Sequence, residues 1–228
     1  MDGPLNEIDV KSFYELLSFK LKTARIAQLD LDLYMASGLN VVRDYVDPDE
    51  NRVSDMLANL LDPEGSHGQA DRFLKLFIEV VKPKNICYEA GMKVKVRRED
   101  PTSLNRRMDI LLEFGEQQAV AIENKIDAGD QDSQISHYCD ELGRRGIYVL
   151  FYLTPILKDP PSNSIEDGKR DLLKSEGKLR CISYRGEIQQ WLTSCIRECE
   201  ADKFRWFLRD LAEFVSEEIV ARNADDEV

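Results

Sequence analysis

Eight consecutive residues, Ile147 to Thr154, read Ile-Tyr-Val-Leu-Phe-Tyr-Leu-Thr and carry no charge. A strand this apolar on both faces has to be covered from both sides, which helices packed on a sheet provide. The run predicts an α/β fold with a mixed central sheet of about five strands flanked by helices. Helical spacing of apolar residues covers 9–22, 24–45, 69–81, 131–142, 187–200 and 204–221. A helix ending at Leu61 follows the start signal Asp47-Pro48-Asp49 and buries Val53, Leu57, Leu60 and Leu61. Phe73, Leu74, Phe77 and Ile78 form the inward face of the next helix. Phe73, Phe77, Trp191 and Trp206 fall at helical spacing and read as core. Strands are expected over 86–90, 92–97, 107–114, 119–126 and 180–184, with an exposed loop at 99–105. The polar segment 158–178, rich in Pro, Gly and Ser, reads as a long loop. Residues 223–228 and the first few residues read as loose ends.

Charge narrows the function classes. The 228 residues include 31 Lys and Arg against 43 Asp and Glu, a net charge of −12. Such a surplus opposes indiscriminate attraction to a polyanion. The basic residues are clustered, however: between Lys82 and Arg107 eight stand against three acidic ones. No apolar run approaches the ~20 residues needed to span a bilayer, and the N-terminus lacks a basic-then-apolar leader pattern. No membrane partner is expected. Five cysteines without a C-x-x-C pair read as reduced thiols, and the expected location is cytoplasmic.

The segments 107–114 and 119–126 face each other across a short turn around Gly115. Side chains alternate along a strand, so if Ile110, Leu112, Phe114, Val120 and Ile122 share the core face, Asp109, Glu123 and Lys125 share the other. Two carboxylates held together repel and resist ionisation unless a cation joins them. Mg²⁺ takes one or two carboxylates, keeps several waters and accepts substrate phosphate. A lysine beside it can orient water or stabilise charge on phosphate. The same residues also suit a solvated strand face with a cross-strand ion pair.

Asp109 followed by Glu123-Asn124-Lys125 resembles the D…(D/E)-x-K signature of the PD-(D/E)XK, or restriction-endonuclease-like, superfamily. Further segments resemble one bacterial branch of it. They are Glu50-Asn-Arg-Val-Ser54, Leu60-Leu-Asp-Pro63, Ser66-His-Gly68, Gln134-x-x-x-Tyr138, Tyr152-Leu-Thr-Pro155, and Ile182-Ser-Tyr184 with Trp191-Leu192 after it. They span residues 50 to 192 in order. Met108 stands where the superfamily name has Pro, at a position that supplies no ligand.

The resemblance implies a restriction-endonuclease-like core over 49–200, preceded by a helical segment, 1–48, and followed by a C-terminal helix and tail, 201–228. It implies that Asp109 and Glu123 ligate Mg²⁺ (Mn²⁺ substituting), that the Asn124 carbonyl joins them, and that Lys125 orients the attacking water. Glu50 matches an upstream acidic ligand; it equally suits a helix N-terminus, where the macrodipole favours an acid. Gln134 and Tyr138 share a helix face and either approach the site and substrate or provide a polar face and a core aromatic. His67 is either a local hydrogen-bonding residue or a substrate contact, and Arg107 belongs to the basic stretch expected to line a substrate channel.

The expected activity is a metal-dependent nuclease acting on DNA rather than RNA, in defence against foreign DNA or in repair. The competing readings are a catalytically silent nuclease fold that binds nucleic acid or a partner protein, and a structural protein that self-associates through its terminal helices.

Overall fold

The computed structural model describes residues 7–36, 38–89, 91–104 and 106–224. The chain divides into two compact units, Met1–Asn40 and Val41–Val228.

In the first unit, α1 (Glu7–Met35) is one uninterrupted helix of 29 residues. The sequence suggests a break near Thr23, but the Thr23 hydroxyl donates to the Phe19 carbonyl one turn back, so the side chain is satisfied within the helix. The helix stops at Ala36, which takes a left-handed φ of 44°. The expected helix to position 45 is therefore interrupted, with a separate π-helical turn, Val42–Val46, in the second unit. Residues 1–6, where fraying is expected, lie outside the described residues.

The second unit is built on a five-stranded sheet in the order β1 (Val94–Pro101), β2 (Arg107–Phe114), β3 (Gln118–Asn124), β4 (Ile147–Thr154), β5 (Leu179–Ser183). β1–β2 and β2–β3 are antiparallel, and β3–β4 and β4–β5 are parallel. Parallel neighbours need a crossover. α4 (Gln134–Arg145) supplies the first and α5 (Asp167–Ser175) the second. The mixed sheet flanked by helices expected from the sequence is what forms.

Strand parity decides what each face buries. Ile110, Leu112, Phe114, Val120, Ile122, Val149, Phe151, Leu153 and Ile182 pack with α2 (Glu50–Leu61), α3 (Arg72–Val81), α6 (Gln189–Glu198) and α7 (Asp202–Phe214) in the larger core. Val53, Leu57, Leu60 and Leu61 of α2 and Phe73, Leu74 and Phe77 of α3 are fully buried there, and Ile78 is half-buried. Leu111, Ala121, Tyr148, Leu150 and Tyr152 turn the other way, onto Ile135, Tyr138, Cys139 and Leu142 of α4. β4 thus contributes to both cores, as its unbroken apolar run requires.

Several expectations are corrected. Residues 86–89 are irregular: the Cys87 amide donates to the Gln118 side chain rather than to a strand, while Ile86 is buried; Ala90 lies outside the described residues. α3 begins at Arg72, after Ala70 takes a φ of 50°. β1 continues through 99–101, part of the segment 99–105 read as an exposed loop. It is an edge strand, which tolerates proline, and it absorbs a left-handed Glu99 (φ 48°) between the pairs Arg98–Ile110 and Asp100–Met108. The segment 158–178 contains α5, which buries a single residue, Leu173, and so shows little helical pattern. α6 is entered by a π-helical turn, Tyr184–Ile188. α7 continues through a π-helical stretch, Val215–Ala221, into Arg222–Ala224, so residues 223 and 224 are helical; residues 225–228 lie outside the described residues. Trp206 is not core: it is about half-exposed, with the Arg209 guanidinium 4.7 Å over its ring.

Candidate active site

The site forms where β2 and β3 part. Their ladder ends at the pair Ile110–Ile122, so the pairs that would follow, Asp109 with Glu123 and Met108 with Asn124, are not made. The Asn124 amide instead donates to Asp109 Oδ2 at 2.8 Å. A carboxylate thus takes the place of a backbone acceptor at the fork. On the far side of β3 the Lys125 amide still bonds the Leu153 carbonyl at 2.8 Å. Pro155 has no amide to offer the ladder beyond that point, so β3 ends as the site begins.

Glu123 points to the α4 side of the sheet and is only 2% exposed. Its Oε1 accepts from Gln134 Nε2 at 2.7 Å and pairs with Lys125 Nζ at 3.1 Å. Its Oε2 is buried and has no hydrogen-bond partner. Burial first, then the nearby charge of Asp109, pushes the Glu123 carboxyl well above the usual range. Burial also raises Asp109, against the Asn124 amide and the charge of Lys125. For Lys125 burial alone would lower the pKa, but Glu123, Asp130 and Glu50 together outweigh it and hold the ammonium charged.

Asn124 faces the opposite way and is fully buried. Its Nδ2 donates to Ser54 Oγ at 3.0 Å and its Oδ1 accepts from the Tyr184 hydroxyl at 2.8 Å. The side chain is a tie between β3, α2 and the turn before α6. Only its backbone faces the carboxylates.

Glu50 lies at the start of α2, behind the N-cap Asp49, whose side chain accepts from the Arg52 amide at 2.8 Å. Its Oε2 accepts from the Ile126 amide at 2.7 Å, with the amides of Asp127 and Ala128 at 3.3 and 3.4 Å. The carboxylate therefore gathers the turn after β3, and its charge reaches both Asp109 and Lys125.

The other sequence candidates divide. Gln134 and Tyr138 are buried behind Glu123. Tyr138 receives a hydrogen bond from Gln134 Nε2 at 3.2 Å and donates its own to the Arg107 carbonyl at 2.6 Å. The Arg107 side chain is exposed and paired with Glu99 at 2.8 Å. His67 is not brought to the carboxylates. It sits past the C-terminal end of α2, a 12-residue helix of about 18 Å whose other end carries Glu50. There His67 Nδ1 accepts from the Gln69 amide, Nε2 meets the Asp62 carbonyl at 2.9 Å, and the ring lies against Phe73 and Phe204.

Two residues near the site escaped the sequence reading. Arg98 of β1 donates to the Asp109 carbonyl, to Asp55 at 2.7 Å and to the Asn51 carbonyl at 3.1 Å, joining β1, β2 and α2. Asp130 accepts from the Tyr152 and Ser164 hydroxyls at 2.5 and 2.9 Å. Neither has a local signal: Arg98 was one of eight basic residues, and Asp130 is a loop acid.

A cation fits this arrangement. Among the described residues no trio of His, Cys, Asp or Glu is drawn together as a ready metal cage. Mg²⁺ asks for less, since two carboxylates suffice when water and substrate phosphate complete its shell. The partnerless Glu123 Oε2 with the half-buried Asp109 carboxylate beside it supplies that donor set.

A family model described as PD-(D/E)XK nuclease superfamily matches residues 39–210. The chain belongs to the PD-(D/E)XK nuclease superfamily. Among curated proteins and among solved structures, nothing matches the chain. The sequence resemblance holds at the level of family and fold. No helix among the described residues is long and apolar enough to cross a membrane.

Proposed function

We propose that the protein is a Mg²⁺-dependent nuclease that hydrolyses phosphodiester bonds of DNA. The observation that carries this reading is the buried, partnerless Glu123 Oε2, with Asp109 and the Lys125 ammonium beside it. A buried carboxylate oxygen left without a partner is costly, and a divalent cation is a partner its chemistry suits.

Asp109, Glu123 and the Asn124 carbonyl would hold Mg²⁺, or Mn²⁺ in its place. When bound, such an ion polarises a phosphoryl oxygen and lowers the pKa of a water. The chain's own residues do the rest. Gln134 fixes the orientation of Glu123 through Oε1, leaving Oε2 directed into the site. Glu50 holds the 126–128 turn and, with it, the placement of Lys125. Lys125 keeps its proton, so its role is to stabilise negative charge on the scissile phosphate and to orient the attacking water.

The test is cleavage of linear, nicked and single-stranded DNA, with RNA alongside, in Mg²⁺ or Mn²⁺. Wild type is expected to cut, and Asp109→Ala and Lys125→Ala are expected to lose the activity. Cutting by both variants overturns the assignment.

One observation favours a second reading, a silent module that binds nucleic acid or a partner protein. Much of the basic stretch is engaged within the chain: Arg97 with Asp100 and Glu113, Arg98 with Asp55, Arg107 with Glu99, and Arg106 with the Asp132 carbonyl. DNA binding that persists in EDTA without cleavage would select it. The five free thiols support a reducing, cytoplasmic location. The exposed apolar residues of α1 support self-association.

A further inference from the structure

The register of β1 on β2 runs unbroken from Val94–Phe114 to Arg98–Ile110, omits Glu99–Asp109, and resumes at Asp100–Met108. The β2–β3 ladder stops at Ile110–Ile122. Among the described residues, Asp109 is thus the only member of β2 with a register partner in neither neighbouring strand.

Both strands change face at this point. Along a regular strand, residues two apart share a face. Ile110 and Leu112 belong to the larger core, whereas Met108 lies with Leu111 in the core under α4. On β1, Arg98 reaches Asp55 and the Asn51 carbonyl of α2, whereas Asp100 pairs with Arg145 of α4 at 2.7 Å. The residue at which β1 turns over is Glu99, with its left-handed φ of 48°. A residue with a Cβ enters that region only at a cost.

For Asp109 the turnover has two results. Its carboxylate meets the open end of β3, where Oδ2 accepts from the Asn124 amide at 2.8 Å. Its carbonyl, without a partner on β1, accepts from the Arg98 guanidinium instead. The same guanidinium is fixed from α2 by Asp55 and the Asn51 carbonyl, a set of contacts that suits its planar fork of donors. Asp109 is held at both ends, carboxylate and backbone, by groups outside the ladders.

We propose that Arg98 is a positioning residue and that the turnover at Glu99 is its counterpart. Together they keep the Asp109 backbone out of the β1 ladder, so that its carboxylate stands at the fork beside Glu123. The effect on cleavage rests on the nuclease reading above; the effect on Asp109 does not.

The experiment compares Glu99→Gly, Glu99→Val and Arg98→Met in the full chain. Both Glu99 variants lose the exposed ion pair with Arg107, but glycine accepts a positive φ and a β-branched residue resists it. The first readout is hydrogen exchange of two amides in EDTA. The Asn124 amide is bonded to Asp109 Oδ2, and the Lys125 amide to the Leu153 carbonyl on the far side of β3. Relative to Lys125, the Asn124 amide is expected to exchange about tenfold faster in Glu99→Val and Arg98→Met than in Glu99→Gly or wild type. The second is the Mn²⁺ concentration giving half of the Tm rise without DNA, expected to be about fivefold higher in the same two variants. In the cleavage assay their kcat is expected to be about tenfold below that of Glu99→Gly, with KM within about twofold. Equal acceleration of the two amides, or Glu99→Val matching Glu99→Gly in exchange, overturns the proposal. So do a wild-type kcat and Mn²⁺ midpoint in Arg98→Met. Wild type that cuts nothing overturns the nuclease reading, and the exchange comparison in EDTA still decides whether Arg98 and Glu99 place Asp109.

Discussion

The Asp109 carboxylate accepts from the Asn124 backbone amide at the point where the β2–β3 ladder stops. That bond only partly offsets the burial of Asp109, whose carboxyl remains raised. The metal-free fold thus penalises the charged form relative to water. Asp109→Asn is expected to raise Tm by a few degrees in EDTA at neutral pH, and to abolish the Tm increase that Mn²⁺ gives the wild type.

The pH dependence of that gap has a definite sign. An acid with a raised folded-state pKa binds more protons folded than unfolded, so its contribution to stability falls as pH rises. Above the raised value the penalty is complete. It fades as pH drops from there toward the ordinary carboxylate range, about 4. The advantage of Asp109→Asn over wild type is expected to shrink on acidification toward the ordinary carboxylate range, as followed by thermal unfolding in EDTA.

Tyr184→Phe removes the hydroxyl that satisfies Asn124 Oδ1 inside the core. A buried acceptor left without a donor costs about 1–3 kcal/mol. At about 2–4 °C per kcal/mol for a domain of this size, a clear Tm loss is expected. Cleavage is expected to fall with it, because the same asparagine sets the path of β3 through the site.

Arg98→Lys tests a different link. One ammonium cannot reach the Asp109 carbonyl, Asp55 and the Asn51 carbonyl together, as the guanidinium does. A loss of about 2 kcal/mol is expected in denaturant unfolding, little smaller than for Arg98→Ala.

Val10, Tyr14, Leu17 and Leu21 of α1 are exposed and separated by four, three and four residues. That spacing makes a self-complementary seam, so the occupant expected is α1 of a second copy. Sedimentation of the full chain is expected to show a dimer or larger species, and the pair Leu17→Glu and Leu21→Glu is expected to return it to monomer. Wild-type monomer at all concentrations counts against it.

What was legible in the sequence follows from how locally each signal is written. β2 and β4 are read at their observed bounds, because alternation in Arg107–Phe114 and its absence in Ile147–Thr154 each report directly on burial. The α2 start was legible because Asp49 and Glu50 are chemistry at a helix end. Much of the scattered motif set proves to be one neighbourhood: Ser54, Gln134, Tyr152 and Tyr184 all reach β3 or its loop and Tyr138 joins them through Gln134, while Ser66-His-Gly68 belongs to another place. What was not legible depends on distant partners. Arg98 and Asp130 take their meaning from α2, Tyr152 and Ser164, and α5 hides behind one buried leucine. The π-helical turn Tyr184–Ile188 opens on a side-chain tie, Ser183 Oγ accepting from the Gly186 amide, which periodicity does not register.

Glu50 reaches 76 residues along the chain to the Ile126 amide, and Tyr184 reaches back 60 residues to Asn124. Synthesis from the ribosome proceeds from the N-terminus. A nascent polypeptide that has just completed its central hairpin therefore has the acidic pair but not the tyrosine that locks it, and the centre becomes whole only after a further 60 residues have been added beyond Asn124.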